Sequence, residues 1–389
     1  MTRASVPCMT SRVARSIIFG AVSAGALLAT ALPAIADEES SVSGSHAVFV
    51  LTNDGDANEV IAFERTRTGT LTEPTHYKTG GRGSGGNTDP LASQGALTLS
   101  KDRSHLLAVN AGSGTVSVFR VGGAHLELTD RVATEGSEPN AVAEHAGLVY
   151  VLNAAASSSV VGFRLENGKL VRIPDSLRFL SKNGASPGSV AFSPDGQFLL
   201  VTEQSGNLID AFKVQPGGLL SSITINHSAG PGVFSVTFTP KGIAIAAETG
   251  TSAPNSSAVS SYSVNSDGTL TPISVSLPTL GSANCWSAVT PDGRFVYNSN
   301  AGTSTITGFS IGASGALTAL PGTIVGVNPS GATNLELAVS ADGKFLYSLN
   351  GGSSTVGMFA IDQTSGALTN LGTVGITPTA TGLDGMTAN

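Results

Sequence analysis

The sequence has little of what would cross-link a fold or give it a strong charge. Of its 389 residues, two are cysteines and 12% are charged. Cys8 lies in the N-terminal segment, so Cys285 has no partner for an internal disulfide, and the fold must be held by burial and strand pairing. No Cys/His spacing is typical of a zinc or haem site. The formal charge of −7, with no cluster of Lys or Arg, argues against a nucleic-acid partner.

Long apolar runs are also scarce, and the one clear example is at the N-terminus. Three arginines precede an apolar run over residues 17–32, and a small-x-small site ends at Ala36. This pattern predicts a signal peptide over 1–36, cleaved near Ala36, and a secreted or periplasmic chain with a charge of −10. The alternative is an uncleaved anchor, but the run is short and ends at Pro33, whereas a spanning helix needs about 20 apolar residues. No later segment predicts a membrane span.

Glycine is abundant, with 48 residues, and it recurs in the turns of an internal repeat. Each unit begins with an alternating strand that closes in a turn such as Ser-Pro-Asp-Gly, where Pro presets φ and Gly accepts positive φ. The turns close at positions 103, 147, 196, 242, 293 and 343, which are 44 to 51 residues apart. A second strand, a third strand and a Gly hairpin that opens a fourth strand follow in each unit. Four short strands in a unit of about 40–50 residues indicate a propeller blade.

Six units carry all four strands, and the seventh is split between the ends of the chain. Residues 46–77 supply its second, third and fourth strands, and residues 382–389 are left to supply the first. The prediction is an all-β, seven-bladed β-propeller with four antiparallel strands per blade, closed by pairing the C-terminal strand with the N-terminal blade. Its domains are a signal peptide at 1–36, a flexible leader at 37–45 and the propeller at 46–389. A parallel β-helix is the competing fold, but it would lack the Gly hairpins.

On these features the sequence resembles the lactonase family of seven-bladed propellers. That family includes bacterial 6-phosphogluconolactonase of the propeller type and fungal carboxymuconate-lactonizing enzyme. The resemblance covers about 46–389 and rests on the Ser-Pro-Asp-Gly turns, the "Val-x-Asn" second strands and the "Ser-Gly-x-Leu-Thr" hairpins. Segments 93–97 and 202–209 are similar to those of its exported bacterial members. The resemblance implies a hydrolase that opens or forms the lactone of a sugar acid or a related carboxylic acid.

The ends of the second strands and the starts of the first strands surround one mouth of the central channel, where ligands usually bind. Second strands end in Asn in five blades and in Glu203 and Glu248 in two consecutive blades. Asn suits turns and local backbone hydrogen bonds. Two carboxylates at the mouth could instead serve as general base and acid, and the resemblance implies that Glu203 is the catalytic Glu. The predicted catalytic residues are therefore Glu203 and Glu248, with an ordinary polar loop role as the alternative.

The first-strand starts give the predicted substrate-binding residues, which are Gln94, Asn140, Asn284, Trp286, Asn334, Glu336 and Asp384. Trp286 is either core or an aromatic wall for a sugar-like ring. Cys285 has no His or Asp beside it in the sequence, which favours an inert buried thiol.

One departure from the family pattern bears on activity. The family carries Pro-His-x-His at the start of one inner strand, and the comparable places here read Glu138-Pro139-Asn140-Ala141 and Ser186-Pro187-Gly188-Ser189. Two functions stay open: a lactonase-like enzyme using Glu203, and a non-catalytic scaffold that binds a protein, a glycan or the cell envelope through its channel face. No cofactor is expected, and the alternative is a divalent cation bound at the mouth. The expected ligand is a small lactone or sugar acid, and the expected state is a monomer.

Overall fold

The computed structural model describes residues 42–155, 157–376 and 382–389, with side chains from His46 onward. The predicted signal peptide and most of the predicted leader lie outside the described residues. The first strand begins at Val42, four residues before the predicted start of the propeller. All described strands belong to one structural unit, Glu39–Asn389.

The described residues form 29 strands and three short 3-10 turns. In chain order the strands are β1 (Val42–Leu51), β2 (Glu59–Thr66), β3 (Thr75–Lys78), β4 (Leu97–Leu99), β5 (His105–Asn110), β6 (Thr115–Gly122), β7 (His125–Ala133), β8 (Pro139–His145), β9 (Leu148–Asn153), β10 (Ser159–Glu166), β11 (Lys169–Arg172), β12 (Arg178–Phe179), β13 (Pro187–Phe192), β14 (Phe198–Glu203), β15 (Leu208–Val214), β16 (Leu220–His227), β17 (Val233–Phe238), β18 (Ile243–Glu248), β19 (Ala258–Val264), β20 (Leu270–Pro278), β21 (Asn284–Val289), β22 (Phe295–Asn300), β23 (Thr305–Ile311), β24 (Leu317–Val327), β25 (Asn334–Val339), β26 (Phe345–Asn350), β27 (Thr355–Ile361), β28 (Leu368–Gly375) and β29 (Met386–Ala388). The 3-10 turns are Ala111–Ser113, Gln204–Gly206 and Pro216–Gly218.

These strands pair into seven antiparallel sheets, one per blade. From the innermost strand outward, blade I is β29-β1-β2-β3, blade II is β4 to β7, blade III is β8 to β11 with β12 also on β10, and blades IV to VII are β13 to β16, β17 to β20, β21 to β24 and β25 to β28. The predicted architecture is confirmed. We call the end of the ring where the first strands start the top, and the end with the first turns the bottom.

The ring closes as predicted, through the C-terminal strand. β29 pairs antiparallel with β1, with Val48 opposite Ala388 and Val50 opposite Met386. The backbone N–H of Asn389 also donates to the carbonyl of Ala47 at 2.8 Å. Closure gives β1 a hydrogen-bonded neighbour on both sides, so β1 has no open edge.

The bottom turns owe their shape to one short motif. In blade IV, Ser193 Oγ donates to Asp195 Oδ1 at 2.6 Å, and the same oxygen accepts the backbone N–H of Gln197 at 3.0 Å. Gly196 has a φ of +70°, which favours glycine. The same Ser/Thr-to-Asp bond occurs in blades II, VI and VII, at Ser100/Asp102, Thr290/Asp292 and Ser340/Asp342.

Neighbouring blades are joined by buried tyrosines on the second strands. Each of three tyrosine hydroxyls donates to the carbonyl of a glycine in the outer hairpin of the next blade: Tyr150 to Gly218 at 2.8 Å, Tyr297 to Gly366 at 2.8 Å, and Tyr347 to Gly69 at 2.9 Å. A buried hydroxyl must find such a partner, and the Gly hairpin supplies a carbonyl with no side chain in the way. The repeated hairpin motif therefore joins blades as well as turning the chain.

Candidate functional site

The innermost strands of all seven blades surround a central cavity of about 340 Å³. Its wall is formed by inner-strand residues and by two residues from a loop at the top, Gln94 and Gly95. That loop, which we call the cap segment (residues 89–95), lies outside the four-strand repeat and closes the top of the cavity.

The cap segment is fixed by hydrogen bonds to several blades. Gln94 Nε2 donates to the carbonyl of Ser287, and the N–H of Ser287 donates to Gln94 Oε1, both at 3.1 Å. The backbone N–H of Gln94 donates to the carbonyl of Gly188 at 2.8 Å. Ser93 Oγ donates to the carbonyl of Asn140 at 2.7 Å. Gln94, predicted to bind substrate, therefore has its side-chain amide paired with the backbone of blade VI.

Trp286 is part of the same closure. Its ring is 1% exposed and packs against Phe234, with 5.1 Å between ring centroids. Its indole N–H donates to the carbonyl of Ser93 at 2.8 Å. Of the two interpretations of Trp286, this geometry favours core packing, because both the ring and its only donor are engaged by the protein.

A pair of carboxyl groups lies where the cap segment meets the C-terminal strand. Asp89, half-buried, and Asp384, fully buried, lie close enough for one carboxyl group to donate to the other when it is protonated. Asp384 Oδ2 also accepts the N–H of Leu91 at 3.2 Å. Burial raises the pKa of Asp89 to about 7. Burial, with the negative charges of Asp89 and Glu336, raises the pKa of Asp384 well above its usual range. These shifts favour a protonated Asp384 that donates a hydrogen bond to the Asp89 carboxylate.

Glu336 is a third buried carboxyl group close to this pair. Its Oε1 accepts the N–H of Gly95 at 3.0 Å, and its Oε2 accepts the N–H of Met386 at 2.7 Å. Burial raises its pKa to about 8, although both hydrogen bonds act in the opposite direction. Glu336 thus links blade VII to the cap segment and to the ring-closing strand.

Cys285 lies near the same carboxyl groups and is buried. Burial, reinforced by the charges of Asp89 and Asp384, raises the pKa of its thiol well above the usual range. A thiol held in its neutral form is a poor nucleophile, which agrees with the inert role favoured by the sequence.

Beside the pair, a smaller cleft of about 160 Å³ opens on the top face between the loop at 84–91 and blades II and III. We call it the top cleft, and its lining residues are Ser84, Pro90, Leu91, Ala111, Glu138, Asn140 and Ala154. Asn140 is 2% exposed, and its Nδ2 donates to the carbonyl of Pro187 at 2.8 Å. Its Oδ1 is buried without a hydrogen-bond partner among the described residues, so this oxygen is available to a donor on a ligand.

The two glutamates predicted to be catalytic are fully buried. Glu203 Oε1 accepts the backbone N–H of Ser181 at 2.7 Å, and Oε2 accepts its hydroxyl at 2.5 Å. Glu248 Oε1 accepts from Ser260 Oγ at 2.6 Å and from the N–H of Gly230 at 2.9 Å. Each carboxylate thus has its own set of protein donors at the top of its own blade.

The asparagines at the same position of other blades make comparable bonds. Asn110 Nδ2 donates to Thr115 and Ser117, and its Oδ1 accepts from Thr79 Oγ1 at 2.7 Å. Asn300 Nδ2 donates to Thr305 and Thr307. Glu203 and Glu248 therefore take the place of a structural amide. Their catalytic role remains a prediction, and this burial does not favour it.

Glu203 has a carboxylic neighbour across the hairpin that sequence reasoning missed. Asp210 on β15 is fully buried and lies close enough to donate to Glu203 when it is protonated. Burial first, and then the adjacent Glu203, raise the pKa of Asp210 to about 9. Asp210 faces Val201 in the register, so Glu203 is its diagonal neighbour on one face of the sheet.

Replacing Asp210 with Asn should make the fold less sensitive to alkaline pH. Between about pH 4 and pH 9 the folded protein retains a proton that the unfolded chain loses, so this group lowers the free energy of unfolding as pH rises, by up to about 1.4 kcal/mol per pH unit. Asn also donates to Glu203 but does not titrate. We expect the stability of Asp210→Asn relative to the parent to increase from pH 5 to pH 9, measured by urea unfolding.

The control for this experiment is Asp56→Asn, which removes the same charge from an exposed position. Its stability relative to the parent should change little over the same pH range. Parallel curves for Asp210→Asn and Asp56→Asn would show that Asp210 is ionised in the folded protein.

The other predicted substrate-binding residues are fully buried amides. Asn284 Nδ2 donates to the carbonyl of Ala258 at 2.6 Å. Asn334 Nδ2 donates to Ser299 Oγ at 2.5 Å and to the carbonyl of Thr305 at 3.0 Å. Of the predicted set, the structure brings Glu336 and Asp384 together beside Asp89, and it places Asn140 in the top cleft.

Sequence reasoning missed Asp89, Ser84 and Glu138. The one signal for the first two was that the loop from Gly80 interrupts the repeat, because an insertion at the channel face is where a site is expected. Across residues 42–155, 157–376 and 382–389, no set of three His, Cys, Asp or Glu side chains is arranged to hold a metal ion. Within that same part of the chain, none of the helices has the length and apolar character needed to cross a membrane.

The family model described as "Lactonase, 7-bladed beta-propeller" matches residues 56–179 and 255–381, together well over half of the chain. The chain belongs to this lactonase family. No curated protein matches this lactonase-family propeller by sequence comparison.

Solved structures similar to this lactonase-family propeller show the same fold. The periplasmic gluconolactonase of Pseudomonas aeruginosa is 19% identical with a TM-score of 0.67, over 87% of this chain and 99% of its own. A Bacteroides uniformis protein assigned as a 6-phosphogluconolactonase is 21% identical with a TM-score of 0.64, over 87% and 99%. A Lactobacillus plantarum protein is 18% identical with a TM-score of 0.69, over 89% and 99%.

Proposed function

We propose that this propeller hydrolyses a lactone at its top cleft, with Asp89 as the general base. The observation that carries the proposal is the Asp89–Asp384 carboxyl pair. Asp89 immediately precedes Pro90 and Leu91, which line the cleft. Membership of the lactonase family and the names of two neighbours, a gluconolactonase and a 6-phosphogluconolactonase, support the same reaction class.

The chemistry assigned to Asp89 follows from its protonation. A general base is most effective when its pKa lies near the working pH, and burial brings the pKa of Asp89 to about 7. Asp384, when protonated, orients the Asp89 carboxylate by donating to it. Two carboxyl groups so close do not both ionise at neutral pH.

The reaction is the addition of water across the ring ester bond. The Asp89 carboxylate accepts a proton as the water oxygen forms a bond to the acyl carbon. The ring C–O bond then breaks, and the proton passes from Asp89 to the leaving alkoxide oxygen, so that the base is regenerated. Asn140 Oδ1, which lacks a protein donor among the described contacts, accepts a hydrogen bond from a substrate hydroxyl and fixes the ring in the cleft.

Turnover of simple lactones by the purified chain, followed as acid release in a pH-stat, tests this function. We expect kcat/KM to rise with pH through an apparent pKa near 7, which belongs to the Asp89–Asp384 pair as a unit. Rates must be corrected for spontaneous ring opening in buffer. No turnover above buffer across a panel of five- and six-membered lactones would contradict the proposal.

We also propose that the chain is exported, because residues 1–36 have the composition of a signal peptide and one structural neighbour is a periplasmic protein by name. N-terminal sequencing of the chain from an expressing cell would detect cleavage near Ala36, and an intact Met1 in every fraction would contradict it.

A further inference from the structure

The size of the top cleft limits what it can hold. Its volume is about 160 Å³, which is below the roughly 300–1,000 Å³ of pockets for drug-sized ligands. A single small ring fills this volume, whereas an oligosaccharide or a fused-ring lactone would extend beyond the cleft.

The charges of the lining residues also limit which substrates the cleft can bind. Glu138 is the one ionisable side chain among its seven lining residues, and it is exposed. None of those seven side chains is cationic. Arg82, on the same loop as Ser84, is also exposed, but it is not a lining residue.

We infer that the substrate of this cleft is a single-ring lactone that carries hydroxyl groups and no phosphate. The inference rests on the proposed lactone hydrolysis at the same cleft. It separates this chain from the relative assigned as a 6-phosphogluconolactonase, with which it shares the fold.

The physical reason lies in the protein groups that a phosphate or a hydroxyl group of the substrate would contact in the cleft. A phosphate group is usually bound by Arg, Lys or an array of backbone N–H groups, and here it would approach the Glu138 carboxylate instead. Like charges a few ångströms apart repel, and removing a phosphate from water without new partners adds to the cost. A hydroxyl group, in contrast, satisfies the buried Asn140 Oδ1.

The test compares kcat/KM for gluconolactone and 6-phosphogluconolactone at low ionic strength. We expect the parent protein to prefer the unphosphorylated lactone by about tenfold or more. Glu138→Gln should reduce this preference by raising kcat/KM for the phosphorylated lactone. Glu138→Arg should reduce it further in the same way. Added salt should narrow the parent's preference too, because it screens an exposed charge.

Two further variants make the outcome specific. Glu166→Gln removes an exposed carboxylate from the outer hairpin of blade III and should leave the preference unchanged. Arg82→Gln should also leave it unchanged.

Preferential turnover of the phosphorylated lactone, or its selective loss in Arg82→Gln, would overturn the inference while leaving the proposed hydrolysis intact. Turnover of neither lactone, nor of any other in the panel, would instead remove the proposed function on which the inference rests.

Discussion

Asp89→Asn is expected to lower kcat for a lactone substrate by about 10²–10⁴-fold, the usual contribution of a general base. Asn has nearly the shape of Asp, and its amide oxygen can still accept the hydrogen bond from protonated Asp384. It cannot accept a proton from water, so the chemical step loses its base while the pair keeps its geometry. We therefore expect KM and the midpoint of urea unfolding to change little, and the pH dependence near 7 to disappear.

The matched control is Glu203→Gln, which tests the site predicted from the sequence. Glu203 is buried and bound to both donors of Ser181, and Gln retains an oxygen for one of them. We expect this variant to keep kcat within about threefold of the parent when the two are compared at equal folded fraction. A large loss in Glu203→Gln with full activity in Asp89→Asn would place the chemistry in blade IV and refute the assignment to Asp89.

Deleting residues 386–389 is expected to destabilise the propeller by at least about 4 kcal/mol, a large part of the 5–15 kcal/mol typical of a whole domain. The deletion removes the pairing of β29 with β1 and the buried side chain of Met386, which is 3% exposed. Loss of such a side chain alone costs about 2–5 kcal/mol. It also leaves Glu336 without the Met386 N–H that it accepts, so a buried acceptor becomes unpaired.

Urea unfolding of the truncated chain, with hydrogen exchange of the β1 amides, measures this effect. Met386→Ala serves as the control, because it loses the side chain but keeps the strand and its hydrogen bonds. The truncated chain should unfold at a lower urea concentration than Met386→Ala and exchange the amides of residues 48–50 faster. An unfolding midpoint equal to that of the parent would show that β29 does not hold the ring closed.

The architecture could be predicted from the sequence because its determinants are local and repeated. A turn such as Ser193 to Gly196 and a Gly hairpin such as 314–318 each fix their own strands, and their repetition along the chain makes the signal redundant. The missing first strand of blade I then identified the C-terminal residues as its partner.

The candidate site could be predicted only in part, because its contacts are not local. The N–H of Leu91 donates to Asp384, which is 293 residues away in the sequence, and only ring closure brings the two residues together. Asp89 lies in a loop outside the repeat, where periodicity carries no information. The Glu203–Asp210 pair was easier to predict from the sequence, because the register of the hairpin makes the two residues diagonal neighbours. Their burial, however, depends on the loop that carries Ser181, which the repeat does not specify.

Ring closure has a consequence for how the chain acquires its fold. Val48 pairs with Ala388, so the blade of the first described strand stays incomplete until residue 388 has been synthesised. Blades II to VII can form in order as the polypeptide emerges, whereas β1 keeps an open edge for the whole of that time. Such long-range pairing slows folding, and an unpaired strand edge invites association between chains. The nascent protein is therefore most vulnerable to aggregation at β1, until β29 has been synthesised and has paired with it.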